Sequence, residues 1–395
     1  MKIKKILALL ASAAISLSLM AGCGSSDSSG STSKADTASE AETDSESNDE
    51  APLYTPSGEI RDISSWELVK EMKVGWNLGN TMDATGDKGV DNEIAWQGVK
   101  TSEYMIKLLK DSGFNVMRVP VSWGDHMDAS YKVDEAWMKR VHEIVDYGMA
   151  NDMFVILDTH HEEWYFPDGK DSEQDKAQLK ALWEQIAEEF KDYDEHLIFE
   201  GLNEPRLRGT PKEWNGGDQK SREVINEYER VFYDTVRNSG GNNAKRHLMI
   251  TGYAASSNKY CLEVIELPEN DDKLIVSVHA YIPYSFALDT KGTSEYDPSN
   301  SEIPNFFSTL NDLFISKQIP VIVGEFGAMN KDNSADRVTW VNDYLNAAKA
   351  LGIPCIWWDN NAIAGNGENF GLMDRNLPPA WYFPEIIEAI QKVYG

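Results

Sequence analysis

His196-Leu-Ile-Phe-Glu-Gly-Leu-Asn-Glu-Pro-Arg206 is the stretch on which the fold turns. Leu197 to Leu202 is an apolar run broken by one Glu and one Gly, which is how a strand buried on both faces reads. Pro205 cannot donate to a ladder and biases the residue before it away from helix, so the strand is expected to stop near Glu204. An acid at the mouth of a buried strand is open on one side and walled by apolar groups on the other. Such a carboxyl can have its pKa raised and donate a proton near neutrality. Taken alone, Asn203-Glu204-Pro205 reads equally well as an acid capping the next helix. A second stretch, Pro320-Val-Ile-Val-Gly-Glu-Phe-Gly327, changes that balance, because it is again a buried strand ending in an acid, Glu325. Two strand-end carboxylates can face one another across a bound substrate.

Working outward, the same pattern recurs eight times. Buried strands are expected at 73–80, 116–123, 154–161, 197–204, 247–253, 274–281, 320–327 and 355–360. Amphipathic helical patterns lie between them, clearest at 102–112, 135–151, 174–191, 219–238, 303–317 and 334–351. Gly113 and Gly352 supply helix stops before the strands that follow. Strand then helix, eight times, predicts an α/β chain folded as a (β/α)8 TIM barrel, with its site at the C-terminal strand ends. Those ends carry Asn77 and Asn80, Arg118, His160 and His161, Asn203 and Glu204, Tyr253, His279 and Tyr281, Glu325, and Trp357 and Trp358.

The N-terminus reads differently. Residues 1–22 join Lys2, Lys4 and Lys5 to an apolar run from Ile6 to Met20, a secretory signal too short to span a membrane stably. It leads into Met20-Ala-Gly-Cys23, which resembles a bacterial lipobox with Met20 where Leu is usual. Cys23 is therefore the expected lipidation site, against ordinary signal cleavage beside an incidental Cys. Residues 23–52 are rich in Ser, Thr, Ala, Asp and Glu and cannot bury enough surface to fold, so they read as a disordered acidic tether. No Ser/Gly/Pro-rich break interrupts 53–395, which is read as one domain. The expected location is outside the cytoplasm, at the cell surface through the lipid or released. The net charge of -28 comes only in part from the tether, and an acidic folded part disfavours nucleic acid and suits a neutral ligand. Cys355 lies in an apolar strand and reads as a buried thiol; whether Cys261 meets it is left open.

Seven segments together resemble the motifs of glycoside hydrolase family 5, in its bacterial endoglucanase and xyloglucanase branch. They are Gly75-Trp-Asn-Leu-Gly-Asn-Thr81, Met117-Arg-Val-Pro-Val-Ser-Trp123, Asp158-Thr-His-His161, Phe199-Glu-Gly-Leu-Asn-Glu-Pro-Arg206, His279-Ala-Tyr281, Gly324-Glu-Phe-Gly327 and Trp357-Trp-Asp-Asn360. The resemblance runs from about residue 66 to the C-terminus. It implies a retaining, endo-acting hydrolase of β-1,4-glucosidic bonds in cellulose-type β-glucan or xyloglucan.

By the same resemblance Glu204 is the acid/base and Glu325 the nucleophile. Arg118 would hold Glu325 ionised and lower its pKa, and Tyr281 would donate to the same carboxylate. Asn203 would bind the 2-hydroxyl of the sugar, His279 would tune Glu204, and His160 and His161 would bind hydroxyls beside the scissile bond. Asn80 joins the binding set, and Trp358 rather than Trp357 is the expected stacking platform, with Trp96, Trp123, Trp164 and Trp214 as further aromatic candidates.

No cofactor or catalytic metal is expected, because adjacent strand residues such as His160 and His161 should point to opposite faces. A monomer is expected. Alternatives on the same fold are an endo-β-mannanase, an exo-β-glucosidase, or an anchored glycan-binding protein without activity.

Overall fold

A computed structural model describes residues 52–394. The signal, Cys23 and nearly all of the tether lie outside the described residues. Eight parallel strands close into a barrel in sequence order: β1 (Val74–Leu78), β2 (Val116–Val119), β3 (Phe154–Asp158), β4 (Leu197–Glu200), β5 (Leu248–Ile250), β6 (Leu274–His279), β7 (Val321–Phe326) and β8 (Cys355–Asp359). Closure is made by β8 against β1, where Val74 pairs with Cys355 and Leu78 with Asp359.

The surrounding helices include α1 (Ser65–Leu68), α2 (Glu103–Asp111), α3 (Glu135–Ala150), α4 (Ser172–Glu189), α5 (Gln219–Asn238), α6 (Lys259–Leu262), α7 (Tyr284–Ala287), α8 (Glu302–Leu313), α9 (Ser334–Ala350) and α10 (Pro384–Tyr394). The expected helix over 303–317 is divided, with a separate 3-10 turn at Ile315–Lys317.

Strand alternation sorts the side chains. In β4, Phe199 faces outward onto Trp183 of α4, while Ile198 belongs to the barrel interior with Val116, Ile156, Met249, Ile275, Ile322 and Ile356. Leu68, Val69 and Met72, on and just after α1, extend this cluster and plug the N-terminal end. Two residues further along each strand the interior becomes polar: Arg118 follows Val116, Asp158 follows Ile156 and Glu200 follows Ile198. The apolar interior thus forms a floor under a polar layer at the C-terminal mouth.

Strands β2, β3, β4 and β5 stop three or four residues short of expectation, and β7 keeps its span but shifts phase. β4 stops at Glu200, not near Glu204. At Gly201 the chain passes so close to α5 that an added Cβ would lie 2.4 Å from Phe232 and from Glu229. Glu204 therefore sits on a loop rather than on the strand. In β7, strict alternation from the inward Ile322 would turn Glu325 outward. The register against β6 slips instead: Val278 pairs with Val323 and His279 with Glu325, leaving Gly324 as an extra residue. This bulge resets the phase and brings Glu325 inward, while Phe326 packs outward on Tyr344. A Cβ at Gly324 would stand 3.1 Å from His279 Nε2 and from Ser277 Oγ, so the extra residue fits closely as glycine.

Candidate active site

Arg118 is the hub of the mouth. Its side chain is wholly buried, and its guanidinium makes four hydrogen bonds and one further ion pair. Nε donates to Glu200 Oε2 at 2.6 Å. Nη1 donates to Asn77 Oδ1 at 3.0 Å and to Glu325 Oε1 at 2.9 Å. Nη2 donates to Asn203 Oδ1 at 2.8 Å and meets Asp158 Oδ2 at 2.8 Å. A buried cation needs such compensation, since an unpaired charge there costs several kcal/mol, on the order of 3–5. Its neighbours are held in turn: Ser277 Oγ donates to Glu200 Oε1 at 2.5 Å, and Val121 N–H to Asp158 Oδ1 at 2.9 Å.

The Asn203 amide is oriented by this network. Its oxygen must face the guanidinium, which turns Nδ2 toward His160 Nε2 at 3.4 Å. His160 Nδ1 donates to Asp158 Oδ2 at 2.8 Å. Burial holds His160 well below its ordinary pKa, in keeping with a neutral ring that donates on one side and accepts on the other.

Glu325 and Glu204 meet through His279. Tyr281 OH donates to Glu325 Oε2 at 2.7 Å. His279 Nδ1 lies 3.0 Å from Glu204 Oε1 and 3.5 Å from Glu325 Oε2. Both neighbours of Nδ1 are acceptors and Nε2 has no partner, so the proton belongs on Nδ1. One ligating atom from each of Glu204, His279 and Glu325 lies within 4.8 Å of the other two.

Burial raises the pKa of both acids. For Glu325 this corrects the expected direction. Arg118 makes the contact and does favour the anion, as does His279, but desolvation outweighs them and the guanidinium is shared with Glu200 and Asp158. Glu325 still has more support for its charge than Glu204. Arg118 and Tyr281 both donate directly to it, whereas Glu204 has His279 and, at 3.5 Å, Arg206.

The remaining candidates divide. Trp358 lies at the mouth, its ring parallel to His160 at 5.6 Å, in a cluster with Met329 and Phe370. Trp357 faces outward into the core, where its Nε1 donates to Phe370 O. His160 and His161 are not on opposite faces. β3 ends at Asp158, so both lie beyond the strand, with ring centroids 4.5 Å apart. Together with Asp83 they bring ligating atoms within 4.8 Å of one another, against the geometric ground on which a shared ion had been set aside. His160 already uses both nitrogens there.

Trp96 is exposed and lies over His161, at 5.7 Å between centroids. Trp214 is 62% exposed. Trp164 is half-buried and bonded to Glu162. Trp123 is fully buried, donates to Asp158 O and is no platform. Tyr253 is structural: its hydroxyl accepts from Leu207 N–H and donates to Lys212 O. Asn80 serves through its backbone, at φ 57° with its N–H on Asp83 Oδ2, and is not drawn into the Arg118 network. Cys261 and Cys355 are both buried free thiols, which answers whether they pair.

Sequence reasoning assigned no role to Glu200, Asp158, Ser277 or Arg206. Glu200 was legible in principle, since an acid two residues after an inward Ile shares its phase and must find a buried partner.

The family model Cellulase (glycosyl hydrolase family 5) matches residues 79–363. The chain is 57% identical to Endoglucanase B of Ruminococcus albus over 401 residues, covering 99% of this chain and 97% of that protein. Among solved structures it is similar to a GH5-4 broad specificity endoglucanase from Ruminococcus champanellensis with bound cellotriose. That match has a TM-score of 0.82 and 47% identity, covering 84% of this chain and 99% of the other. It is also similar to XEG5A, a GH5 xyloglucan-specific endo-beta-1,4-glucanase from a metagenomic library, in complex with cellotriose. Here the TM-score is 0.80 with 40% identity, covering 83% of this chain and 98% of that one. The barrel is that of a glycoside hydrolase of the cellulase type. The chain belongs to glycosyl hydrolase family 5.

Proposed function

We propose that this enzyme cleaves β-1,4-linked glucan chains internally by a two-step retaining mechanism, with Glu325 as nucleophile and Glu204 as acid/base. The observation that carries the assignment is the unequal support of two carboxyls whose oxygens approach within 4.8 Å. A retaining pair stands about 5 Å apart, too close for a water to fit between the base carboxylate and the anomeric carbon as inversion requires. Burial and the Glu204 charge both push the Glu325 pKa up, so the order of ionisation rests on its two direct donors: they favour the Glu325 anion, and a charge there favours a protonated Glu204.

In the first step a Glu325 oxygen bonds to the anomeric carbon. The bond to the leaving oxygen breaks, and the Glu204 proton goes to that oxygen. In the second step Glu204 takes a proton from water, the water oxygen bonds to the anomeric carbon, and the ester to Glu325 breaks. The free Nδ2 hydrogen of Asn203 suits the 2-hydroxyl of the sugar, a contact that strengthens in the transition state.

Internal cleavage rests on relatives that are endoglucanases and on exposed rings at two sides of the mouth, Trp96 after β1 and Trp214 after β4. The loop after β6 leaves most of 289–299 exposed, which suits an open groove more than a closed pocket. Xyloglucan is kept as a substrate beside plain β-glucan because a xyloglucan-specific endoglucanase shares the fold at 40% identity.

We further propose that residues 1–22 export the chain, that Cys23 takes the lipid, and that 24–52 tether a monomeric barrel to the membrane. Stable attachment needs more than one acyl chain, which a lipidated N-terminal Cys would supply. Fractionating cells that express wild type and Cys23→Ser checks this, and a wild type wholly released into the medium rejects the anchor.

Proton NMR of a cello-oligosaccharide digest tests the mechanism. First-formed product of β configuration is expected, and α configuration rejects retention.

A further inference from the structure

We propose that Arg206 is a positioning residue for the reaction: it fixes the orientation of Glu204 and sets the pH at which that acid loses its proton. The proposal rests on Glu204 being the acid/base. Arg206 follows the acid by two residues and folds back on it. Nη1 donates to the Glu204 backbone oxygen at 2.9 Å and lies 3.5 Å from Glu204 Oε2. The first contact ties down the peptide that carries the acid. The second places a fixed cation beside the carboxyl oxygen that His279 does not touch, since His279 Nδ1 faces Oε1.

Two further contacts keep the guanidinium there. Nε donates to Glu213 Oε1 at 3.2 Å, and Cζ stands 4.3 Å from the ring centre of Trp214. Both partners lie on the loop after β4, which Tyr253 pins through Leu207 and Lys212. The guanidinium is thus held between the acid and an aromatic ring that is largely open to solvent. A planar fork does this as a point-charge ammonium cannot, because it stacks and donates at once.

The other charged and titratable groups that bear on Glu204 come from several elements. They are His279 on β6, Tyr281 just after it, Glu325 on β7, Arg118 on β2, and Glu368 after β8. The Glu204 charge pushes up the pKa of Glu325, Tyr281 and Glu368, so none of these three favours its ionisation. Arg118 makes its hydrogen bonds and ion pairs with other groups and none with Glu204. Arg206 is the cation in direct contact, and it opposes a pKa that burial raises. Removing it lets the acid stay protonated to higher pH.

The test is the pH profile of kcat/KM for the full chain on cellopentaose and on an aryl cellobioside with a strongly activated leaving group. For Arg206→Met the alkaline limb with cellopentaose is expected to move up by about half a pH unit or more. The activated substrate, which needs little protonation, should be slowed much less. Arg206→Lys should return the limb toward wild type while only partly restoring rate. A limb that does not move, with both substrates slowed alike, makes Arg206 merely structural and overturns the proposal. Glu204→Gln separates the underlying reading: if it leaves cellopentaose hydrolysis intact, the acid assignment fails regardless of Arg206.

Discussion

The polar mouth and the apolar floor of this barrel are built from the same strands, two residues apart. Below, Val116, Ile156, Ile198 and Ile322 fill the interior with groups that need no partner. Above, Arg118, Asp158, Glu200 and Glu325 need a partner for every charge, and each has one. The floor tolerates error in proportion to volume. The mouth does not, because removing one member leaves the others buried and unpaired. The difference explains how a stable fold can hold three carboxylates around one arginine. The floor supplies cohesion, and the hub supplies orientation.

Four substitutions sharpen or break this contrast. Glu325→Gln should have the largest effect, lowering kcat by about four orders of magnitude or more. It keeps the shape of the site, so calorimetry should still detect cellotetraose binding. Retention of even a tenth of the activity would remove Glu325 from the chemistry.

Arg118→Met comes next. It should destabilise the fold by about 3–5 kcal/mol in denaturant titration and abolish turnover, because three carboxylates lose their cation. Recovery of stability at acidic pH, where those carboxyls take up protons, would distinguish uncompensated charge from lost packing. Equal destabilisation at all pH values would contradict the hub.

Ile198→Ala tests the floor. It should cost about 2–5 kcal/mol through transfer and cavity terms and leave the shape of the pH–rate profile unchanged. A displaced profile would show the two layers to be coupled.

The smallest effect concerns Asp83, a buried acid beside His161 whose pKa burial pushes up to about 7. A carboxyl with a raised folded-state pKa stabilises below its unfolded value and loses that contribution as pH rises toward its folded value. Wild type should therefore lose stability from this group between about pH 4 and 7. Asp83→Asn lacks that loss, so its Tm relative to wild type should improve as pH rises across the window. A constant difference would count against the raised pKa.

Much of this was legible in the sequence, for identifiable reasons. Hydrophobic runs located the eight strands, and amphipathic patterns with glycine stops located the helices to within a turn in most cases, as at α5, whose observed span is Gln219–Asn238. Both acids, Arg118, Asn203, His160, His279 and Tyr281 do converge.

What was not legible depends on phase and tertiary approach. The bulge at Gly324 inverts the expected facing of Glu325, and no local propensity announces it. His160 and His161 were judged by strand geometry although the strand ends before them. Trp123 shares the composition of a platform, but Pro120 follows the end of β2 and the ring turns inward, where its Nε1 meets Asp158 O. Arg206 was quoted as part of a motif, yet its fold back onto Glu204 is set by Trp214 and Glu213 on the same loop.

The central claim is that Glu325 forms the bond to the sugar. An aryl 2-deoxy-2-fluoro-cellobioside with an activated leaving group should form the glycosyl-enzyme and then release it slowly, because the fluorine disfavours the oxocarbenium-like transition state. Mass spectrometry of the digested, inactivated enzyme should find one added fluorocellobiosyl unit on the peptide carrying Glu325, and none in Glu325→Gln. A label on any other residue, or inactivation without a label, would contradict the account.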